Sequence, residues 1–159
     1  WEKPLHVRFI ELMPIGDYFR PDRVVPAKEI FERLETLGPL KPVKGTLGCG
    51  PALTGGIIGS GPAQSWRWDG AKGTIGIIGA VTHTFCPHCN RLRLTANGTL
   101  RPCLDDEQSV DLKAALRPCV DREKLTFLFK EAVRMKPESH TMAGRETSLA
   151  RSCMAGVGG

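Results

Sequence analysis

A chain of 159 residues holds one compact domain or two small pieces of a larger protein, and excludes two independent full-size domains. Its composition, 41% hydrophobic and 25% charged, is that of a globular chain and excludes disorder throughout. The net charge is +5 and is unevenly placed: Gly70 to Leu104 contains no Asp or Glu, while Lys72, Arg91, Arg93 and Arg101 lie in that stretch. Such a field draws anions such as phosphate esters, although a solvated basic face would read the same way. No apolar run approaches the ~20 residues needed to cross a bilayer, so no membrane partner is expected. The start, with Glu2 and Lys3, has no signal-peptide pattern, so a cytoplasmic location is expected. The chain begins at Trp1 in what reads as the middle of a fold, and a fragment is expected.

In chain order, Leu5 to Met13 alternates as a strand with apolar residues on both faces, as a buried strand of a parallel sheet or barrel would. Pro26 opens a helix to about Leu37, with Ile30, Phe31, Leu34 and Leu37 at helical spacing and Gly38-Pro39 ending it. Residues 45–61 hold seven glycines but no G-x-G-x-x-G or G-K-[ST] pattern, and read as a linker and not a phosphate loop. Gln64 to Trp68 and Thr74 to Val81 read as strands around Asp69-Gly70. Arg91 to Ala96 and Thr99 to Leu104 form a hairpin, for which Asn97-Gly98 predicts a two-residue type I′ turn. Ser109 is placed as the cap of a short helix to about Arg117. Asp121 starts a second helix to about Met135, with Leu125, Leu128, Phe129, Ala132 and Val133 as its apolar stripe. Pro137 to Gly159 reads as a tail.

The chemistry concentrates in VTHTFCPHCNRLRLTANGTLRPCL, Val81 to Leu104. Cys86, Cys89 and Cys103 give C-x2-C-x13-C, and the hairpin folds the third cysteine back towards the first two. Three thiolates without an obvious fourth ligand leave a metal position open, as in a substrate-binding iron–sulfur cluster. His83, His88 or Cys119 could complete a closed zinc site, so a zinc module with a basic face for nucleic acid or protein is the alternative. Arg91 and Arg93, two residues apart, share a strand face and suit the two-pronged recognition of phosphate oxygens. Solvated strand arginines are the plainer reading of the pair. Cys49, Cys119 and Cys153 match no motif and read as buried free thiols; His140 and Met142 read as packing residues.

FCPHCNRLRLTANGTLRPCL resembles the C-terminal cluster motif of the GTP 3′,8-cyclase family, radical-SAM enzymes of molybdenum cofactor biosynthesis. RFIELMP, Arg8 to Pro14, is similar to a late barrel strand of that family, and the terminal MAGVGG to its double-glycine tail. The resemblance implies an α/β fold: the C-terminal part of an incomplete (β/α) barrel, followed by a small antiparallel sheet plus helices carrying a cluster site. Residues 1–44 would be the last strand–helix portion of the barrel, 45–61 a Gly-rich linker, and 62–159 the cluster and GTP-binding domain. It also implies that Cys86, Cys89 and Cys103 hold a second [4Fe–4S] cluster. Arg8, Arg91, Leu92 and Arg93 would contact GTP and Met13 S-adenosylmethionine, with Gly158 and Gly159 threading to the catalytic centre. The partners are then GTP and S-adenosylmethionine, with no nucleic acid and a homodimer allowed. The C-x3-C-x2-C motif for the first [4Fe–4S] cluster is absent from these residues, so the chain alone is expected to be inactive and the parent to supply that cluster. Arg101 is not among the residues the resemblance carries over.

Overall fold

The structure, a computed structural model, describes residues 1–43 and 61–146. The Gly-rich stretch, Cys49, Cys153, Gly158 and Gly159 lie outside the described residues, so the linker and the double-glycine tail are not addressed by it. The described chain is mixed α/β and divides into two compact units, residues 1–13 with 20–88, and residues 14–19 with 89 onward.

The first unit is a four-stranded sheet with a helix on it. Strand β1 (His6–Ile10) pairs in parallel with β4 (Thr74–Ile78); β3 (Gln64–Trp68) runs antiparallel to β4, and β2 (Leu40–Pro42) antiparallel to β3. The strands read from the sequence around Asp69-Gly70 are present, and Gly70 takes the left-handed conformation (φ 72°) that the turn needs. They join the sheet of β1 and not the hairpin that follows them.

Helix α1 (Ala27–Glu35) lays Ile30, Phe31 and Leu34 on a core of Ala27, Leu40, Trp66, Ile75 and Ile77, with the rings of Phe31 and Trp66 tilted at 57° and 5.3 Å apart. Leu37, assigned to that stripe, is exposed. The expectation of a buried β1 is also corrected: Leu5, Val7 and Ile10 are exposed, because β1 is the outer strand of this sheet among the described residues.

The buried polar centre of this unit is Glu11, which is 1% exposed. Its carboxylate accepts hydrogen bonds from the Ala27 amide (3.3 Å), the Val81 and Thr82 amides (2.7 and 2.8 Å) and the Thr82 hydroxyl (2.7 Å). One side chain thus joins the end of β1, the N-terminus of α1 and the turn after β4. A helix N-terminus suits the negative charge.

In the second unit β5 (Arg93–Leu94), β6 (Thr99–Arg101) and β7 (Val110–Asp111) form an antiparallel sheet, packed against α3 (Arg122–Arg134) through Leu100, Leu112, Ala132, Leu92, Val110, Leu125 and Leu128. The hairpin is present, but its turn differs from the type I′ expectation. Gly98 N–H donates to the Thr95 carbonyl and Thr95 N–H to the Thr99 carbonyl, so the loop has three residues, with Gly98 left-handed (φ 80°).

Ser109 does not cap a helix. The neighbouring residues Val110 and Asp111 form β7, and Asp111 Oδ1 instead accepts from the Lys113 amide at the start of α2 (Lys113–Leu116). Asp121 does cap α3, accepting from the Lys124 amide at 2.9 Å. Phe129 and Val133, placed in its apolar stripe, are exposed. Asp105, buried, pairs with Arg145 and accepts from the Thr141 amide at 2.7 Å, fixing residues 141–145 beside the end of the hairpin.

Glu11→Ala leaves several buried donors without an acceptor and should cost about 3 kcal/mol or more, read as a fall in the urea midpoint. Glu29→Ala, which breaks only an exposed pair with Arg33 on α1, should cost under about 1 kcal/mol.

Candidate functional site

Each site residue read from the sequence, apart from Gly158 and Gly159 outside the described residues, has a definite environment. Cys86 opens a short 3-10 turn, Cys86–His88, and is half-buried with a free thiol. Cys89 and Cys103 are also free and half-buried, and both belong to the second unit. Cys119, expected to be buried, is exposed, because it lies in the loop between α2 and α3. Among the described residues no three His, Cys, Asp or Glu side chains are gathered at metal-ligand distances.

What is gathered is a mixed set of thiols and cations around the base of the hairpin. Leu92 turns into the core of the second unit, which leaves Arg91 and Arg93 on either side of it out of that core. Burial pushes the Cys89 thiol up. The Arg91 main chain and guanidinium hydrogen-bond to it, and with the charges of Lys136 and Arg91 they bring the net shift below the ordinary thiol value. Arg93 is held below its ordinary value, first by burial and then by the charge of Arg91, while Cys89 and Cys103 act in the opposite sense. Cys89 and Cys103 therefore both act on one guanidinium.

The sequence reading missed two members of this set. Arg101 stands directly opposite Arg93 across the β5–β6 ladder, so the two share a face, and its charge acts on Arg93. The alternation of a hairpin could have revealed this, had the three-residue loop been recognised. Arg101 also donates to the Asp106 carbonyl. Lys136, just beyond α3, donates to the carbonyls of Arg91 (2.9 Å) and Pro102 (2.8 Å). No local pattern could have found it, since it lies more than thirty residues from either partner.

The donor chemistry fits an iron–sulfur cluster: soft thiols, one of them biased towards thiolate by the Arg91 main chain and by nearby cations, with no carboxylate among the groups acting on Cys89 or Arg93. Arg8 and Met13 belong to the first unit. Arg8 is exposed on β1 opposite Gly76 and lines a cleft of about 60 Å³ with His6, Ser65, Thr74 and Gly76. A Cβ at Gly76 would lie 3.1 Å from Arg8 Cγ, so glycine there gives the arginine its room. Met13 is half-buried after β1.

Residues 5–142 match the family Molybdenum Cofactor Synthesis C, and the chain belongs to that family. It is 45% identical over 143 residues to a GTP 3′,8-cyclase of Pelotomaculum thermopropionicum, covering 88% of this chain and 41% of that protein. The GTP 3′,8-cyclase of Syntrophomonas wolfei is 41% identical over 141 residues, covering 87% and 40%. That of Heliobacterium modesticaldum is 40% identical over 159 residues, covering 98% and 45%. The chain thus spans well under half the length of these relatives.

The environment of Cys89 yields a measurable pH dependence. The thiolate is the reactive form, and a lowered value means it persists to lower pH in the folded chain than in the unfolded one. Its contribution to stability is therefore present above the unfolded thiol value and lost as pH falls through the folded one. In metal-free protein, iodoacetamide labelling of Cys89 should rise with a midpoint below that of the urea-unfolded chain, and Arg91→Ala should move it upward. A midpoint equal to that of the urea-unfolded chain would contradict this.

Proposed function

We propose that the protein carrying this chain is a GTP 3′,8-cyclase, converting GTP to 3′,8-cyclo-7,8-dihydro-GTP in molybdenum cofactor biosynthesis. In this reading Cys86, Cys89 and Cys103 hold a [4Fe–4S] cluster that presents an open iron to the guanine base. Arg91 and Arg93 face the triphosphate, Leu92 fixes them from the core, and Arg8 adds a further cation. Met13 contacts S-adenosylmethionine, and Gly158-Gly159 reaches the reacting centre. The radical-generating cluster and most of the barrel belong to sequence other than these residues. The exposed apolar residues of β1 support a sheet that continues into such a barrel. Family membership supports the pathway. The observation that carries the reading is the juxtaposition of Cys89 and Cys103 with Arg91 and Arg93, in a stretch of sequence that contains no Asp or Glu.

The first test is the metal. Anaerobically reconstituted protein should hold iron and sulfide in equal amounts at this site; one zinc per chain with no iron or sulfide would overturn the reading in favour of a closed zinc module. The second test is the phosphate contact. Charge-assisted hydrogen bonds contribute roughly 1.5–3 kcal/mol each. Arg91→Ala or Arg93→Ala in the full-length protein should therefore weaken GTP binding about tenfold or more at unchanged iron content. Lysine should restore only part, since a point charge lacks the fork geometry. Arg101 shares the face of Arg93 and cannot serve as a neutral control; Arg122, exposed at the start of α3, can, and Arg122→Ala should bind GTP as the parent does.

A further inference from the structure

We propose that Lys136 is a positioning residue for the cysteine site, its ammonium clamping together the two chain segments that carry Cys89 and Cys103. The inference rests on reading those cysteines as cluster ligands. The Lys136 ammonium donates to the Arg91 carbonyl, two residues after Cys89, and to the Pro102 carbonyl, immediately before Cys103. β5 and β6 pair only over Arg93–Arg101 and Leu94–Leu100, so the ladder stops short of both cysteines. Beyond it the spacing of the two arms needs another tie, and Lys136 supplies one.

Three features suit the side chain to this task. Its own amide donates to the Val133 carbonyl at the end of α3, so the stem leaves a rigid helix terminus. Pro102 is fully buried and Lys136 half-buried, so the bond to the Pro102 carbonyl is sheltered from water and its loss would leave that carbonyl without this partner. An ammonium carries three donors, enough to hold both carbonyls at once, which a neutral methionine of similar reach cannot do. Its positive charge is thereby held at carbonyls two residues after Cys89 and one before Cys103. A cation held beside ligand thiolates stabilises the more negative, reduced cluster. Lys136 thus sets both the distance between the arms and the local potential without touching substrate.

The experiment uses the full-length protein with Lys136→Met, which keeps the stem, Lys136→Arg, which keeps charge and donors, and Lys130→Met on the exposed face of α3 as control. In metal-free protein, hydrogen exchange in peptides spanning 89–95 and 99–104 should speed up about tenfold in Lys136→Met. Peptides of α1 should be unchanged, and Lys136→Arg should recover most of the protection. Unchanged exchange in both segments would overturn the clamp. In the parent, Lys136 should acylate about tenfold more slowly than Lys130; equal labelling would overturn the clamp even if Lys136→Met fails to fold.

After reconstitution, Lys136→Met should lose iron to a chelator about tenfold faster and titrate at a more negative potential, with Lys136→Arg near the parent. Equal iron release and potential would overturn the positioning role. A parent that takes up no iron would overturn the cluster reading instead, and the exchange and acylation results would still decide the clamp.

Discussion

The first unit depends on one buried carboxylate. Removing Glu11 from water would cost several kcal/mol if it were unmatched. It is matched by main-chain and hydroxyl donors from α1 and from the turn at Val81-Thr82. Because those donors come from segments far apart in sequence, the charge cannot be satisfied until strand, helix and turn are all in place. Once they are, none can shift without exposing a buried charge to apolar surroundings. The turn so fixed stands four residues before Cys86. Within the first unit, Cys86 therefore follows closely on a turn held by a buried, multiply hydrogen-bonded carboxylate.

In the second unit the governing fact is repulsion. Like charges directly opposite on an antiparallel pair are destabilising, and here Arg93 and Arg101 are cross-strand partners with Arg91 close by. Burial of Arg93 makes this worse, as its lowered value records. The thiols of Cys89 and Cys103 offset part of the strain, the more so as thiolates. In the proposed function the remainder has a use: a site already bearing unfavourable positive potential gains more from an incoming polyphosphate than a neutralised one would.

The regular elements with strong local signals were legible in the sequence. The stripe of α1, the Asp121 cap of α3, and the strands around Asp69-Gly70 all follow from spacing and turn chemistry. The misreadings have identifiable physical causes. Ser109 has a cap's chemistry, yet pairing of Val110 with Leu100 takes the chain into a strand and passes the capping to Asp111. Asn97-Gly98 carries the signal for a two-residue turn, but the bond between Thr95 and Thr99 adds Ala96 to the loop and resets which side chains oppose each other. That reset brings Arg101 to Arg93. Glu11 left one trace, the single acid in the strand run Leu5 to Met13, whereas Lys136 left none, since a two-carbonyl clamp exists only in three dimensions.

In the proposed function the one-sided composition of the stretch from Gly70 to Leu104 has a use. A carboxylate within Gly70 to Leu104 would compete with any substrate anion for the arginines. Frame-building charges are still needed, and they come from outside the stretch. At one end Glu11 binds main-chain amides and a threonine hydroxyl; at the other Lys136 binds main-chain carbonyls. Asp105, the first acid after the stretch, is engaged by Arg145 and by the Thr141 amide. The next, Asp106, offers its carbonyl to Arg101 and its carboxylate to the Gln108 amide. The nearest negative charges on the C-terminal side are thereby engaged by partners other than Arg91 and Arg93. Segregating structural charge from site charge in this way lets the hairpin be held firmly without lowering the positive potential that a phosphate ligand would meet.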